Sequence, residues 1–319
     1  MPPPPIVVVG SSNTDLVLRV ARLPRPGETV SDGIFDTVPG GKGANQAVAA
    51  ARAGGQVTFV ARVGRDAYGA QSIEHLQRDG IDTRFVRSDR GAPSGVALIL
   101  VDQAGENCIG VAAGANARLS PADVRRTRSA INRARVVLIQ LECPLDTVQA
   151  AVELASDAGV PTILNPAPAR PLPARLLRRI SFLTPNETEA GSLTGVRVTG
   201  IATARKAARG LLDRGVGGVM VTLGARGVLV ATSDVTQHLP AFPVTPVDTT
   251  GAGDVFNGAL AVALGEGRPV LDAVRFAQAA AALSVTVAGA QTSAPHRRAI
   301  EALLQPVSLK SKANRRPAP

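Results

Sequence analysis

Short continuous runs of Val, Ile and Leu recur along the chain and alternate with segments of helical character. Residues 6–9, 136–141 and 219–223 are such runs, and apolar stretches without alternation are typical of strands buried on both faces. Residues 66–79 are predicted to form a helix, and Ser120-Pro121 supplies the cap and first residue of another. Strands that need cover on both faces, separated by helices, predict a three-layer α/β/α fold with a mostly parallel central sheet.

Composition limits how such a fold is packed. Aromatic residues make up only 3% of the 319 residues and Trp is absent, so the core must consist of small aliphatic side chains at close helix–sheet approach. The length suits one large α/β domain or two smaller ones. Because the pattern continues without a long linker, we expect one domain over residues 6–305, preceded by a Pro-rich stretch (1–5) and followed by a basic, disordered tail (306–319).

Two stretches interrupt the alternation of strands and helices. Residues 15–39 and 95–113 contain short alternating strands around turns such as Pro24-Arg25-Pro26-Gly27 and Asp102-Gln103-Ala104-Gly105. We expect these strands to form a small β lid inserted into the α/β core, through which two copies of the chain pair as a homodimer.

Charge and cysteine content disfavour several classes of protein. The net charge of +10 comes mostly from scattered Arg without a basic stripe interleaved with aromatics, so we expect no nucleic-acid partner; the charge equally fits a nucleotide ligand or a solvated surface. Cys108 and Cys143 lack metal-type spacing, which favours a reduced, cytoplasmic protein. The longest apolar candidate, residues 277–290, is too short to span a membrane and is predicted to be a buried helix running into a strand.

Residues 248–258 combine a tight turn with the start of a helix. Gly251, Ala252 and Gly253 are small, and apolar residues follow from Val255 at near-helical spacing, so free N–H groups at the helix start could hold an anion. Asp254 lies in the first helical turn. A carboxylate beside a bound phosphate could accept the proton of an attacking hydroxyl group. A capped helix with a Gly-rich entry is the alternative explanation of these residues alone.

Other polar residues follow predicted strands. Asn13 and Asp15 would face the same side of an extended segment, as a polyhydroxy ligand requires, although ordinary turn chemistry explains them more simply. Glu142 ends a strand at the edge where ligands bind in open α/β sheets, or merely leaves that strand. Asn186 and Glu189 are spaced as a capping box, and the same pair could position a hydrated magnesium ion near phosphates.

Two glycine-containing segments also suggest ligand contact. Residues 40–45 precede a helix predicted over residues 46–53, with Asn45 on its first turn, and their spacing fits neither the Walker A loop nor the G-x-G-x-x-G dinucleotide motif. Glycines there allow close backbone approach to a small ligand. Residues 222–227 end another predicted strand, at an edge where a nucleotide could lie.

Together these segments resemble the ribokinase family of carbohydrate kinases, the PfkB superfamily. The resemblance runs in order from residue 6 to residue 304 and rests on Asn13-Thr14-Asp15, Gly40-Gly41-Lys42-Gly43-Ala44-Asn45, Asn186-Glu187-Thr188-Glu189, Thr222-Leu223-Gly224-Ala225-Arg226-Gly227 and residues 248–254. It implies a ribokinase-like fold and the ATP-dependent phosphorylation of D-ribose at O5, with magnesium and potassium ions as cofactors.

The resemblance also implies a role for each matching residue. Asp254 would be the general base, and the anion hole would consist of Gly251, Ala252 and Gly253. The sugar would be bound by Asp254 together with Asn13, Thr14, Asp15, Gly41, Lys42, Gly43, Ala44, Asn45 and Glu142.

The remaining implied roles concern ATP and the cations. ATP would contact Asn186, Thr222, Leu223, Gly224, Ala225, Arg226, Gly227, Gly253 and, near the adenine where the family has His or Asn, Gln278. Glu189 would act on magnesium through water. Potassium would be held mostly by backbone carbonyl groups in a loop comprising Asp248, Thr250, Ser284, Val287, Gly289 and Ser293.

Three alternatives remain open from the sequence. A kinase of the same family could phosphorylate deoxyribose, fructose or a nucleoside instead of ribose. A sugar-binding regulatory protein could share the fold without catalysis, although the intact Asp254 and its glycines argue against lost activity. A nucleic-acid-binding protein is the third alternative.

Overall fold

The computed structural model describes residues 2–305. Its strands are β1 (Pro5–Val9), β2 (Asn13–Arg19), β3 (Ile34–Gly40), β4 (Gln56–Gly64), β5 (Asp82–Asp89), β6 (Gly95–Val101), β7 (Asn107–Ala112), β8 (Val136–Ile139), β9 (Thr162–Leu164), β10 (Phe182–Leu183), β11 (Gly218–Thr222), β12 (Val228–Thr232) and β13 (Thr236–Leu239). Its helices are α1 (Lys42–Arg52), α2 (Ala67–Arg78), α3 (Pro121–Arg125), α4 (Arg128–Ile131), α5 (Leu145–Asp157), α6 (Ala174–Leu177), α7 (Glu187–Thr194), α8 (Ile201–Leu212), α9 (Ala252–Gly265), α10 (Val270–Ser284) and α11 (Arg297–Leu304).

The central sheet contains nine strands in the order β13-β12-β11-β10-β9-β8-β1-β4-β5. Only the β11–β12 and β12–β13 pairs are antiparallel. In β1, Ile6 and Val8 belong to the apolar core on one side of the sheet, whereas Val7 and Val9 belong to the core on the other side. The strand is therefore buried on both faces, as its unbroken apolar run predicts, and the three-layer, mostly parallel fold is confirmed.

Helices cover both faces of this sheet. The core on the Ile6 side is completed by α1, α2, α9, α10 and α11, and the core on the Val7 side by α3 to α8. Helices α1 and α9 pack at the distance of backbone contact, because a Cβ atom on Gly258 would lie 2.6 Å from the carbonyl oxygen of Gln46 and 2.7 Å from Cβ of Ala49. The first turns of the two helices consequently meet at one edge of the sheet.

A second sheet contains four strands in the order β3-β2-β6-β7. Its strands are inserted between β1 and α1 and between β5 and α3; β6 and β7 lie within the expected lid stretch 95–113, whereas β2 and β3 extend slightly beyond both ends of the expected stretch 15–39. Directly paired residues share a face, so Val38 and Val111 lie on the same face as Asp15. This sheet exposes Ile34, Phe35, Val38, Leu98, Ile109 and Val111.

The structure corrects two predictions and leaves one outside its range. Helix α1 begins at Lys42 rather than Gln46, because the positive φ of 88° at Gly41 already turns the chain into the helix. Helix α10 ends at Ser284 and is followed by turns rather than a strand, where the carbonyl of Val285 accepts the N–H groups of Val247 and Asp248. The expected disordered tail, residues 306–319, lies outside the described residues. Among residues 2–305, no helix has the length and apolar character needed to cross a membrane.

Candidate active site

A cleft opens where the carboxyl ends of the central strands meet the first turns of α1, α7 and α9. Its lining combines residues from segments that are far apart in the sequence: Lys42, Asn165, Ala167, Thr184, Asn186, Glu189, Thr222, Thr249, Gly251, Ala252, Gly253, Asp254 and Asn257. Ligands of open α/β sheets bind at this edge of the strands. The cleft thus brings the predicted base, the predicted anion hole and part of the predicted nucleotide site together.

Asp254 is buried in the first turn of α9, with 6% of its surface exposed. Its Oδ2 accepts a hydrogen bond from Asn45 Nδ2 at 3.0 Å, and its Oδ1 accepts one from Gln46 Nε2 at 2.9 Å. Burial raises the pKa of the carboxyl group, while Lys42 and the two amides act in the opposite direction. A buried carboxylate with a raised pKa at the wall of a cleft is chemically suited to accept a proton.

The turn before α9 presents backbone groups to the cleft. Gly251 caps the helix in the left-handed region at φ 74°, and a Cβ atom there would lie 2.9 Å from Cβ of Ala290. The N–H of Ala252 donates to the carbonyl of Thr249 at 3.3 Å. The following N–H groups of Gly253 and Asp254 belong to the first helical turn, which leaves them free of intrahelical acceptors, so they are the donors best placed for an anion.

Four charged residues surround the predicted sugar site. Burial raises the pKa of Asp15 to about 6, and the carboxylates of Glu142 and Asp254 add to this shift while Lys42 opposes it. For Lys42, burial lowers the pKa, but the neighbouring carboxylates, led by Asp254, leave it above its ordinary value. Glu142 Oε2 accepts hydrogen bonds from Ser11 Oγ at 2.5 Å and from the N–H of Lys42 at 2.9 Å. These charges make the sugar side of the cleft rich in acceptors.

The other residues predicted to bind sugar divide into two groups. Asn13 lies on the same face of β2 as Asp15, and its Oδ1 accepts from Asn116 Nδ2 at 2.7 Å, which leaves its own amide N–H groups for a ligand. Thr14 lies on the opposite face of the strand. The N–H groups of Gly43 and Ala44 donate to Ser11, so these two residues fix α1 against the β1–β2 connection.

The predicted nucleotide residues lie along the strand ends next to α7. Asn186 and Glu189 form the predicted capping box, and Asn186 pairs with Thr222 in an isolated parallel bridge. Residues Gly224–Arg226 form an exposed 3-10 turn, and Leu223 is buried with its N–H donating to the carbonyl of Gly227.

Two side chains of the predicted nucleotide site donate hydrogen bonds to other groups of the protein. Arg226 donates to the carboxylate of Glu187 and to the carbonyl of Thr199. Gln278 is buried on α10 and donates to the carbonyl of Leu239 at 2.9 Å.

Comparison with known proteins identifies this arrangement. Residues 4–297 match the family model for the pfkB family carbohydrate kinases. The chain belongs to this family. It is 44% identical to the ribokinase of Haemophilus influenzae over 92% of this chain and 96% of that protein, and 40% identical to a deoxyribokinase of Salmonella typhi over 91% and 95%. The structure of Arabidopsis thaliana ribokinase complexed with ribose and ATP superposes with a TM-score of 0.89 at 37% identity, covering 96% of this chain and 99% of that one.

As a carbohydrate kinase, the protein is a phosphotransferase with an alcohol group as acceptor. Among the described residues, no three His, Cys, Asp or Glu side chains are grouped to hold a metal ion. Glu189 is the carboxylate in the cleft nearest to the predicted nucleotide residues, and burial raises its pKa despite the N–H of Asn186. A single carboxylate fits a magnesium ion bound mainly by phosphate and water rather than by protein.

The segments predicted to hold potassium lie together beside the anion-hole turn of this kinase. Asp248 Oδ1 accepts from the N–H of Thr250 at 2.9 Å, and its Oδ2 accepts from the N–H of Gly289 at 2.8 Å. Ser284 and Ser293 donate their hydroxyl hydrogens to nearby carbonyls, and Val287 has an apolar side chain. These segments offer oxygen ligands from backbone carbonyl groups, from the two hydroxyl groups and from the Asp248 carboxylate, which are ligand types suited to a large monovalent ion.

Sequence reasoning missed most of the residues that support the active site of this kinase. Asn116, Gln46, Gln140 and Gln291 are buried and hydrogen-bonded to predicted site residues or to each other. Only Gln140 had a detectable signal, as a polar residue inside the apolar run 136–141. The other partners depend on contacts between segments more than 100 residues apart.

The raised pKa of Asp15 predicts how turnover of this kinase depends on pH. Asp15 is neutral below pH 6 and ionised above it, and only the ionised form offers two acceptor oxygens to sugar hydroxyls. The value of kcat/KM for the sugar should therefore rise as the pH increases through 6, as measured by ADP release. In the Asp15→Asn variant, only Asp254 would still titrate, so the rise of kcat/KM with pH on the acid side of the profile, its acid limb, should become shallower. An unchanged limb in Asp15→Asn, with exposed Asp213→Asn as control, would contradict the assignment.

Proposed function

We propose that this protein is a ribokinase, which transfers the γ-phosphoryl group of ATP to O5 of D-ribose and releases D-ribose 5-phosphate and ADP. The main support is the buried Asp254 carboxylate, held by two amides between Lys42 and the Gly251–Gly253 turn. The identity of 44% over nearly the whole length of a ribokinase supports the same conclusion.

The proposed mechanism assigns the proton and the phosphoryl group to different parts of the cleft. Asp254 accepts the proton of the 5-hydroxyl as the oxygen attacks the γ-phosphorus and the bond to ADP breaks. The N–H groups at the start of α9 stabilise the charge on the transferring group. Lys42, whose pKa remains raised, compensates the carboxylates around the sugar. A magnesium ion bound by the nucleotide phosphates, with Glu189 acting through water, would neutralise phosphate charge.

The proposed binding residues follow from the placement of side chains. Asn13, Asp15, Lys42, Asn45 and Glu142 would hold ribose, and backbone approach at Gly41 would complete the site. Asn186 and Thr222 would hold the phosphates of ATP, and the exposed turn after β11 would hold its nucleoside. Gln278 lies beneath residues 239–240, so it would act on the adenine site by supporting that segment.

Deoxyribose is the strongest alternative acceptor. A deoxyribokinase matches this chain at 40% identity, close to the value for the ribokinases. A regulatory protein without catalysis is disfavoured because Asp254 and its glycines are intact and assembled in one cleft.

We further propose that the protein acts in the cytoplasm as a homodimer through the small sheet. Both faces of this sheet expose large apolar side chains, and β3 and β7 are its free edges. Apolar patches of this kind mark interfaces, and the edges of an open sheet pair readily with another chain. A second copy would cover these side chains next to Asp15 and thereby close the sugar site.

The sugar assignment can be tested with one assay. ADP release by the purified protein should be measured with ribose, 2-deoxyribose, fructose and adenosine. We expect the highest kcat/KM for ribose; with 2-deoxyribose, Asp15 and Asn13 would lose a partner because a hydroxyl is missing. Equal use of both pentoses, or a preference for adenosine, would contradict the ribose assignment.

The role of Asp254 can be tested separately. Asp254→Asn should lower kcat by about 10²–10⁴-fold while calorimetry still detects ribose and ATP binding. Near-normal turnover in this variant would remove Asp254 from the mechanism.

Potassium should activate the enzyme from outside the reaction centre. A cation that bridges the Asp248 and Gly289 segments would restrain the turn that holds the anion-hole N–H groups, and one such donor is commonly worth about 10²–10³-fold in rate. Replacing potassium by sodium or a bulky organic cation at constant ionic strength should lower kcat, and Asp248→Ala should reduce the difference. Identical turnover in the three salts at saturating magnesium would show that Asp248 is only a turn residue.

The dimer has a direct test in solution. The double variant Ile109→Lys, Val111→Lys places two charges on the edge strand β7 and should shift the protein to the mass of a monomer in sedimentation equilibrium. The matched control is Ile201→Lys, which changes an exposed apolar residue on α8 and should remain dimeric. If the parent and the double variant have the same mass in sedimentation equilibrium, pairing through the small sheet is contradicted.

A further inference from the structure

A line of buried amide side chains leads from the central sheet to Asp254. Gln46 and Gln140 are fully buried and Asn165 is 7% exposed. Gln140 Nε2 donates to Gln46 Oε1 at 2.5 Å, and Gln46 Nε2 donates both to Asn165 Oδ1 at 3.1 Å and to Asp254 Oδ1 at 2.9 Å. The proposed function has no role for Gln140 or Asn165.

One backbone carbonyl fixes the orientation of all three amides. The carbonyl of Thr184 can only accept, so the atom of Asn165 that faces it at 3.1 Å must be Nδ2. Asn165 Oδ1 therefore faces Gln46, and Gln46 must present Nε2, whose second hydrogen goes to Asp254. Gln46 Oε1 then faces Gln140 and requires a donor, which Gln140 Nε2 supplies.

The far end of this line has an unsatisfied acceptor. Gln140 Oε1 is buried and has no hydrogen-bond partner within residues 2–305. It lies against Gly10, where a Cβ atom would be 2.0 Å from it. A buried unpaired acceptor lowers stability, and an apolar side chain of similar size would avoid this penalty. Among residues 2–305, the side-chain amide of Gln140 makes a single hydrogen bond, which is the one to Gln46.

A second line reaches the other oxygen of Asp254. Gln291 Nε2 donates to Asn45 Oδ1 at 3.1 Å, and Asn45 Nδ2 donates to Asp254 Oδ2 at 3.0 Å. Each carboxylate oxygen thus receives one amide N–H. Because an amide can rotate by 180°, its orientation depends both on the acceptors that face its nitrogen and on the donor that faces its oxygen.

We propose that Gln140 is a positioning residue for the phosphoryl-transfer reaction: by donating to Gln46 Oε1 it acts together with Asn165 Oδ1 to keep the N–H of Gln46, and not its carbonyl, against the Asp254 carboxylate. Asp254 is then held ionised and in a fixed orientation for the substrate hydroxyl. The inference rests on the proposed role of Asp254 as general base and adds the residue that maintains it.

The charges around Asp254 determine whether its pKa should rise or fall when Gln46 rotates. Lys42 from α1 favours the ionised form, whereas burial, Glu142 after β8, Asp15 on β2 and Glu189 on α7 disfavour it. A rotated Gln46 would replace a favourable N–H by a carbonyl oxygen that repels the carboxylate. The pKa of Asp254 would then rise further, and less of the active form would be present at a given pH.

The test compares Gln140→Met and Gln140→Glu with the full-length parent enzyme, using kcat, KM and the pH profile of kcat for ribose phosphorylation. Gln140→Met keeps the volume and removes the donor, so kcat should fall by about 10-fold, the value at the low end for loss of a group that orients a functional side chain. KM should change little, and the acid limb of kcat should move to higher pH. Gln140→Glu, which burial keeps protonated, can still donate a hydrogen bond to Gln46 Oε1, so its kcat should lie closer to that of the parent than the kcat of Gln140→Met.

One control variant and one additional test variant separate a positioning role from a loss of stability. Thr127→Val removes a buried hydroxyl that donates to the carbonyl of Val124 in the turn between α3 and α4, and it should lower stability without moving the acid limb. Asn165→Leu frees Gln46 from the opposite end and should reproduce the effect of Gln140→Met even if Gln140→Glu does not fold.

The outcomes distinguish this inference from the proposed function. A parent enzyme that releases no ADP with any sugar would refute the proposed function. An active parent that loses turnover in Asp254→Asn, while Gln140→Met and Asn165→Leu retain the parent's kcat and acid limb, would refute only the positioning role of Gln140. A lowered kcat with an upward-shifted limb in both variants, but not in Thr127→Val, would support it.

Discussion

The carboxyl group of Asp254, buried where two helices begin, is the constraint to which much of the surrounding structure responds. An isolated buried charge is prohibitively costly, so it must have hydrogen-bond donors and an opposite charge nearby. Asn45, Gln46 and Lys42 supply these, and all three lie in the first turns of α1. The start of α1 must therefore lie beside the start of α9, which makes the packing of this helix pair part of the catalytic site.

The composition of the chain is explained by that packing. Gly258 places the backbone of α9 against Gln46 and Ala49, and Gly10 leaves room for Gln140 beneath α1. Even an Ala side chain at Gly258 would push the two helices apart and move Asn45 and Gln46 away from Asp254. A core with few aromatic residues and abundant Ala and Gly is therefore what a site built between closely packed helix ends requires.

Local patterns predicted the fold, and together with the family resemblance they named candidate site residues, several of which line one cleft in the structure. The apolar run at residues 6–9, the capping box of Asn186 and Glu189, and the turn before Asp254 could be identified without knowledge of the fold. The roles of Gln46, Gln140 and Asn165 could not be identified, since these amides meet only when three distant segments are brought together. The end of α10 was mispredicted for a related reason: Val285 bonds to a loop nearly 40 residues earlier, a contact that overrides its β propensity.

The cleft separates two kinds of recognition, and Asp254 lies at their boundary. On the lid side, Asp15 and Glu142 offer acceptors, which suit the hydroxyl groups of a neutral sugar but would repel phosphate. On the other side, the N–H groups at the start of α9 offer donors, which suit an anion such as phosphate. A molecule with hydroxyls at one end and a phosphoryl group arriving at the other is matched only when its reacting oxygen lies next to Asp254. With the proposed assignment, the charge pattern would select the orientation of the acceptor before any bond is formed, and the positive charge of Lys42 offsets the repulsion among the three carboxylates Asp15, Glu142 and Asp254.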